Sequence, residues 1–96
     1  MKLLVIYNPG AACGRAAKAL ADIRVHFGNL GIATTFLSTA RPGDGARLVA
    51  GADLADYDGV VAAGGDGTVS EVLNGLWSQP PCRRVPLGVL PVGTGN

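Results

Sequence analysis

Asp58-Gly59-Val60-Val61-Ala62-Ala63-Gly64-Gly65-Asp66-Gly67-Thr68-Val69-Ser70-Glu71-Val72-Leu73 is the stretch on which the reading of this chain turns. Residues 58–63 are short and apolar, as a strand buried on both faces reads. Residues 64–67 set three glycines around one aspartate, a composition that turns sharply. Val69, Val72, Leu73 and Leu76 then recur at helical spacing and mark the inner face of a helix starting after Gly67. Strand, glycine turn and helix in that order make one unit of a parallel α/β sheet.

The pattern repeats on both sides. Residues 2–7 form a continuous apolar run, rich in branched side chains, that predicts a first buried strand. A loop over 8–14 leads into a helix over about 15–30, with Ala16, Leu20, Ile23, Phe27 and Leu30 on one face and Gly31 as its C-cap. Ile32 to Ser38, Thr-rich with a Phe, reads as a second strand. Arg41-Pro42-Gly43-Asp44 is a turn, and a weaker helix follows over about 45–54, interrupted by Gly51. Ser78 to Pro86 is a polar, proline-rich surface loop, and Leu87 to Leu90 a fourth strand. The order β-α-β-α-β-α-β predicts an α/β fold, a parallel sheet in three layers with right-handed crossovers. Pro91 to Asn96 is a glycine loop that in such a sheet leads into a covering helix. The expectation is therefore an incomplete sheet and a fragment of a longer protein.

Composition narrows the classes of function. A chain of 96 residues is one small domain. A net charge of +1 offers no basic surface for nucleic acid and no acidic tail. Cys13 and Cys82 lie far apart without metal-ligand spacing, so they read as free thiols of a reducing compartment. Leu3 to Tyr7 is too short for a signal peptide's apolar core, and no stretch approaches the ~20 apolar residues of a membrane span. These features predict a soluble cytoplasmic protein.

Parallel sheets bind ligands beyond the carboxyl ends of their strands. Three of these ends carry glycine-rich loops: residues 8–14 with Asn8, Pro9, Gly10, Ala11 and Ala12; residues 64–68 with Gly64, Gly65, Asp66, Gly67 and Thr68; and residues 93–96 with Gly93, Thr94 and Gly95. Ser38-Thr39 adds hydroxyls at the same edge. Glycines let backbone N–H groups approach an anion closely, a helix N-terminus adds positive potential, and Thr68 or Thr94 can donate a further hydrogen bond. That is the chemistry of a polyphosphate cradle. Asp66 would repel phosphate unless a cation such as magnesium lay between, held through water. Alternatively it takes the proton of an attacking hydroxyl. Both roles point to phosphoryl transfer. Neither a P-loop nor a dinucleotide fingerprint is present, and the one histidine, His26, lies inside a helix.

Together these loops resemble the diacylglycerol kinase catalytic family, which also holds sphingosine, ceramide and bacterial lipid kinases. The likeness rests on Asn8-Pro9 with Gly14-Arg15-Ala16, on Thr39 with Gly43-Asp44 and Ala46, on Gly64-Gly65-Asp66-Gly67-Thr68-Val69-Ser70-Glu71-Val72, and on Leu87 through Asn96. It covers the whole chain in order. The resemblance implies ATP and magnesium as cofactors and an N-terminal nucleotide-binding part over residues 1–96. It also implies a C-terminal β-sandwich beyond them, with a lipid acceptor entering between the two at the inner face of the membrane. It implies that Asn8, Thr39, Gly65, Asp66, Gly67, Thr68, Glu71 and Thr94 contact nucleotide or metal, with Asp66 the catalytic base in some members. Ala12 stands where the family often has glycine, which would cost ~1 kcal/mol if that position needs positive φ.

Plainer readings stand beside these. Thr68 and Glu71 have the spacing of a capping box. Asp66 can simply hold its turn, and Asn8-Pro9 can end a strand. His26 reads as a solvated helix residue, Trp77 as packing at its helix end, and Arg83-Arg84 as a solvated pair. The glycine-aspartate loop also suits an NAD kinase, and a non-catalytic nucleotide-binding remnant is the remaining alternative.

Overall fold

The computed structural model describes residues 1–9 and 15–90. Four parallel strands form one sheet: β1 (Lys2–Tyr7), β2 (Ala33–Ser38), β3 (Gly59–Ala63) and β4 (Leu87–Leu90). Their spatial order is β2-β1-β3-β4. Three helices connect them in turn: α1 (Arg15–Asn29), α2 (Asp44–Gly51) and α3 (Asp66–Trp77). The parallel α/β architecture expected from the sequence is the one observed.

Alternation along the two inner strands builds the layers. Leu4 and Ile6 of β1 pair in register with Val60 and Ala62 of β3, and all four are buried under Val49 of α2 and Val72 and Leu76 of α3. Val5, Val61 and Ala63 point the other way, against Leu20 of α1. A strand covered on both faces has no polar side to show, which is why its sequence reads as an unbroken apolar run. Tyr7 and Phe36 extend the α1 side with an edge-on ring pair, centroids 6.1 Å apart.

Helix ends follow local chemistry. Gly31, at φ 77°, closes α1: its N–H donates to the Gly28 carbonyl and the Ile32 N–H to that of Phe27. Those are the paired bonds of a Schellman motif. Leu30 lies beyond the last helical turn and is exposed, so it leaves the apolar face on which it was expected. α2 starts and stops earlier than its pattern suggested. Ala52 is extended, and Asp53 then accepts from the Ala55 N–H to open a separate 3₁₀ turn over Leu54–Asp56. α3 starts at Asp66 rather than after Gly67, with Gly65 as its N-cap. Its buried side runs through Thr68, Val72, Gly75 and Leu76, whereas Leu73, expected inside, is 47 % exposed.

The loop after α3 is held by Arg84. Its guanidinium lies 4.1 Å from the Trp77 ring centroid and donates to the carbonyls of Trp77 and Gln79. Arg84 is therefore not the solvated partner of Arg83; it meets the unsatisfied carbonyl end of α3. Trp77 stays 68 % exposed, serving as a platform for that guanidinium rather than packing into the helix end. His26 is solvated, as its helical position implied.

α2 and α3 touch at Gly75, where an added Cβ would sit 2.8 Å from the Ala46 carbonyl oxygen and 2.9 Å from Val49 Cβ. Backbone atoms on that side cannot move aside cheaply. Gly75→Ala is expected to lower the urea unfolding free energy by about 1–3 kcal/mol. Gly28→Ala, at a helical position with nothing within 4 Å, is expected to raise it by about 0.5–1 kcal/mol. Equal effects of the two would contradict the packing assigned to Gly75.

Candidate functional site

The chain leaves β1 toward β2 on one side and later returns to place β3 on the other. Strand order thus reverses between β1 and β3, and α1 lies on the opposite face from α2 and α3. At such a switch point the loops at the carboxyl ends diverge and leave a crevice. The residues at those ends are Asn8 after β1 and Gly64 to Gly67 after β3.

A cleft of about 250 Å³ lies at this edge, lined by Asn8, Thr39, Ala40, Arg41, Pro42, Gly67, Thr68 and Glu71. Five residues singled out from the sequence, Asn8, Thr39, Gly67, Thr68 and Glu71, are thereby brought together. Backbone bonds set their places. The Thr39 N–H donates to the Tyr7 carbonyl at 2.8 Å, carrying the β1–β2 ladder one residue into the loop. The Asn8 N–H donates to the Ala63 carbonyl, and the Gly64 N–H to that of Leu90 at 3.1 Å.

The turn into α3 is tightly fitted. A Cβ on Gly64 would lie 2.8 Å from Thr68 Oγ1 and 3.1 Å from Thr68 Cβ. Only a glycine lets the threonine fold back under the strand end, where it is 8 % exposed. Gly65 caps the helix with no side-chain bond, so the cap itself does not occupy the first-turn N–H groups of α3. Asp66 is the first helical residue, exposed, and outside the lining of the cleft. Pro9 is exposed beside Asn8. Gly10, Ala11 and Ala12, and likewise Gly93, Thr94 and Gly95, lie outside the described residues.

The capping box suggested by Thr68 and Glu71 does not form. Because α3 begins at Asp66, Thr68 is already its third residue, and the two are out of phase with an N-cap. Glu71 instead reaches across to α2, where its Oε1 accepts from the Gly45 N–H at 2.9 Å. Gly45 has no room for a side chain there, since a Cβ would meet Glu71 Cβ at 2.9 Å.

Asp44 organises the opposite wall. Its Oδ2 accepts from the N–H groups of Ala40 at 2.7 Å and Arg41 at 3.0 Å, and its Oδ1 is bonded by the Arg47 guanidinium. The left-handed Gly43, at φ 89°, turns the chain so that this carboxylate faces back into its own loop. The Ala40 amide, followed by that of Arg41 and the charges of Arg47 and Arg41, holds the Asp44 carboxyl below its ordinary 3.8 against the opposing effect of burial. From the sequence, residues 41–44 read as a turn, with Gly43-Asp44 part of the family likeness and no bonding role assigned to Asp44. The signal available was position, since Arg41 follows a strand end at the ligand edge.

A larger hollow of about 580 Å³ lies at the amino-terminal edge, lined in part by Ala52, Tyr57, Cys82 and Val85. α2 and α3 present their C-terminal ends toward that side, where the helix potential is negative. A phosphate-bearing ligand is favoured at the other edge, whatever the relative volumes. Among the described residues no group of three His, Cys, Asp or Glu is placed to hold a metal on its own. None of the described helices is long and apolar enough to cross a membrane. Cys82 is an exposed free thiol.

Asp44 makes stability pH-dependent. Its carboxylate keeps its charge to lower pH in the folded chain than in the unfolded one. The stabilisation is therefore complete above about pH 4 and is lost as pH falls through the folded-state value. Asp44→Asn is expected to lower the urea midpoint at pH 7 and to flatten its decline below pH 4. An unchanged acid limb in the variant would show that Asp44 is not its source.

Comparison with known proteins bears on this site. Residues 2–96 match the model of the diacylglycerol kinase catalytic domain. The chain is 39 % identical over 92 residues to a diacylglycerol kinase of Staphylococcus haemolyticus (strain JCSC1435), covering 96 % of this chain and 27 % of that protein. It is 41 % identical over 92 residues to one from Bacillus subtilis (strain 168), covering 96 % of this chain and 30 % of that one. A solved diacylglycerol kinase from Bacillus anthracis str. Sterne superposes with a TM-score of 0.75 at 30 % identity, covering 97 % of this chain and 33 % of the other. A further solved chain from the same organism reaches 0.80 at 32 % identity, covering 99 % of this chain and 32 % of that one. The chain thus spans about 30 % of the length of the curated relatives it matches. With a family model matched from its second residue to its last, the chain belongs to the diacylglycerol kinase catalytic domain family.

Proposed function

We propose that this chain is the ATP-binding part of a lipid kinase, which transfers the terminal phosphoryl group of ATP to a lipid hydroxyl such as that of diacylglycerol. The observation that carries the reading is the cleft at the switch point, where Asn8, Thr39, Gly67 and Thr68 meet at the N-terminus of α3. A helix N-terminus offers N–H donors and positive potential to an anion. Its 12 residues give α3 the length to sustain that potential. The curated relatives are named diacylglycerol kinases, which supports the lipid as acceptor.

Roles follow from position. Thr39 and Thr68 supply hydroxyls to phosphate oxygens, and the Gly67 backbone allows close approach. Asn8 contributes from the end of β1. Glu71 keeps α2 against α3, so the walls of the cleft stay at a set distance. Asp66, exposed at the head of α3, is the carboxylate that would hold magnesium through water; single carboxylates with water and phosphate oxygens are its usual ligands. The ion would neutralise charge on the phosphates. An equally placed carboxylate can accept the acceptor hydroxyl's proton, so Asp66 remains the candidate base. Gly10, Ala11, Ala12, Gly93, Thr94 and Gly95 are proposed nucleotide contacts from the two neighbouring loops. The parent protein would add a β-sandwich after this part and meet its lipid at the inner face of the membrane, bound peripherally.

ATP titrated into the chain by calorimetry, with and without magnesium and beside Asp66→Asn, tests the reading. Binding that needs magnesium and weakens at least about tenfold in Asp66→Asn is expected. A folded chain that binds no ATP under either condition would overturn it. Binding untouched by the substitution would remove Asp66 from the metal.

A further inference from the structure

We propose that Arg41 is a polyphosphate-binding residue of the cleft, supplying the fixed positive charge on the wall opposite α3. The proposal rests on the reading of the cleft as a phosphate site and names a contact that reading did not contain.

The charges around the cleft single it out. Of the eight lining residues, Arg41 is the one cation and Glu71 the one anion. Glu71 is held by the Gly45 N–H, so its negative charge remains beside any bound ligand. A polyphosphate entering there meets a carboxylate and needs a compensating positive group. Arg47, the nearest other arginine in sequence, is committed to Asp44. Asp44 in turn has little left for Arg41: one oxygen carries Arg47 and the other two amide N–H groups. Among the described residues the Arg41 guanidinium has no ion pair.

The backbone around Arg41 also suits it to hold an anion. Its N–H donates to Asp44, which pins the base of the side chain. Pro42 follows, and a proline disfavours helical backbone in the residue before it. A restrained backbone leaves only the side chain to be ordered on binding, and the planar guanidinium loses less freedom per hydrogen bond than an ammonium would. Its planar fork matches two phosphate oxygens at once. Thr39, two residues earlier, and Thr68 across the cleft offer hydroxyls to the same ligand.

Pyrophosphate and ADP, titrated separately by calorimetry at two salt concentrations, test this with Arg41→Met, Arg41→Lys and Arg83→Met beside the unaltered chain. Arg83 is exposed and lines the hollow at the far edge, so its removal matches the charge change alone. Arg41→Met is expected to weaken both ligands about tenfold or more and to flatten the salt dependence. Arg41→Lys should recover part of the loss, and Arg83→Met should bind as the unaltered chain does. Thermal midpoints within a degree or two would separate binding from folding. ADP and pyrophosphate held equally well by Arg41→Met would overturn the proposal while leaving the nucleotide reading intact. The same holds if Arg83→Met weakens binding as much. Pyrophosphate binding that depends on Arg41, without ADP binding, would support Arg41 and refute the nucleotide. Failure of the unaltered chain to bind either anion would refute both.

Discussion

The cleft depends on the contact between α2 and α3. Gly75 removes the side chain that would hold the helices apart, and the Ala46 carbonyl and Val49 fill the space. Glu71 then bridges from α3 to the Gly45 N–H. Because α2 starts directly after the loop of residues 39–43, drawing its first turn against α3 carries Thr39, Ala40, Arg41 and Pro42 to the head of that helix. A hydrogen bond from a neutral N–H to a carboxylate is worth more than one between neutral groups, and here it spans 26 residues of sequence. Packing against the sheet alone would settle the faces of the helices. It would not settle their distance at the carboxyl edge.

A second carboxylate works within the loop itself. Asp44 gathers two amide N–H groups and one guanidinium, and it is 5 % exposed. A buried charge is costly unless fully bonded, and this one is bonded on both oxygens. The loop is thereby wound about a fixed centre rather than left as a mobile turn. Glu71 therefore places the wall of the cleft, and Asp44 gives that wall its shape. Asp66, the aspartate singled out for chemistry, takes no part in this framework and lies exposed at the helix head. Asp44 and Glu71 thus each accept backbone N–H bonds that hold the cleft wall, and Asp66 stands outside that framework.

Strands, their order along the chain and the alternation with helices were legible in the amino-acid sequence. β1 and β3 are unbroken apolar runs because both their faces are buried, and burial of that kind leaves no other composition. Gly31 announced the end of α1, since few residues other than glycine adopt its left-handed conformation at low cost. The clustering of Asn8, Thr39, Gly67 and Thr68 was also legible, because a parallel sheet sends every strand end to one edge. Diacylglycerol kinase membership could be read from the glycine loops themselves and is shown by the match over residues 2–96.

What only the tertiary structure decided concerns pairs of residues that meet across elements. Local spacing made Thr68 and Glu71 a capping box, but a start of α3 two residues earlier put them out of phase, and Glu71 found its donor on α2. Leu73 belonged to an apolar period, yet the side of α3 that packs on α2 and the sheet runs through Thr68, Val72, Gly75 and Leu76 and leaves it outward. Arg84 looked like a solvated twin of Arg83 until the chain reversal laid it on Trp77. Asp44 and Arg41 read as turn residues, and local spacing did not announce that one would become a bonded centre and the other would line the cleft. Periodicity reports which way a segment faces, because burial acts on each residue separately. Which donor answers which acceptor is set by distances between segments, and those exist only once the helices have packed.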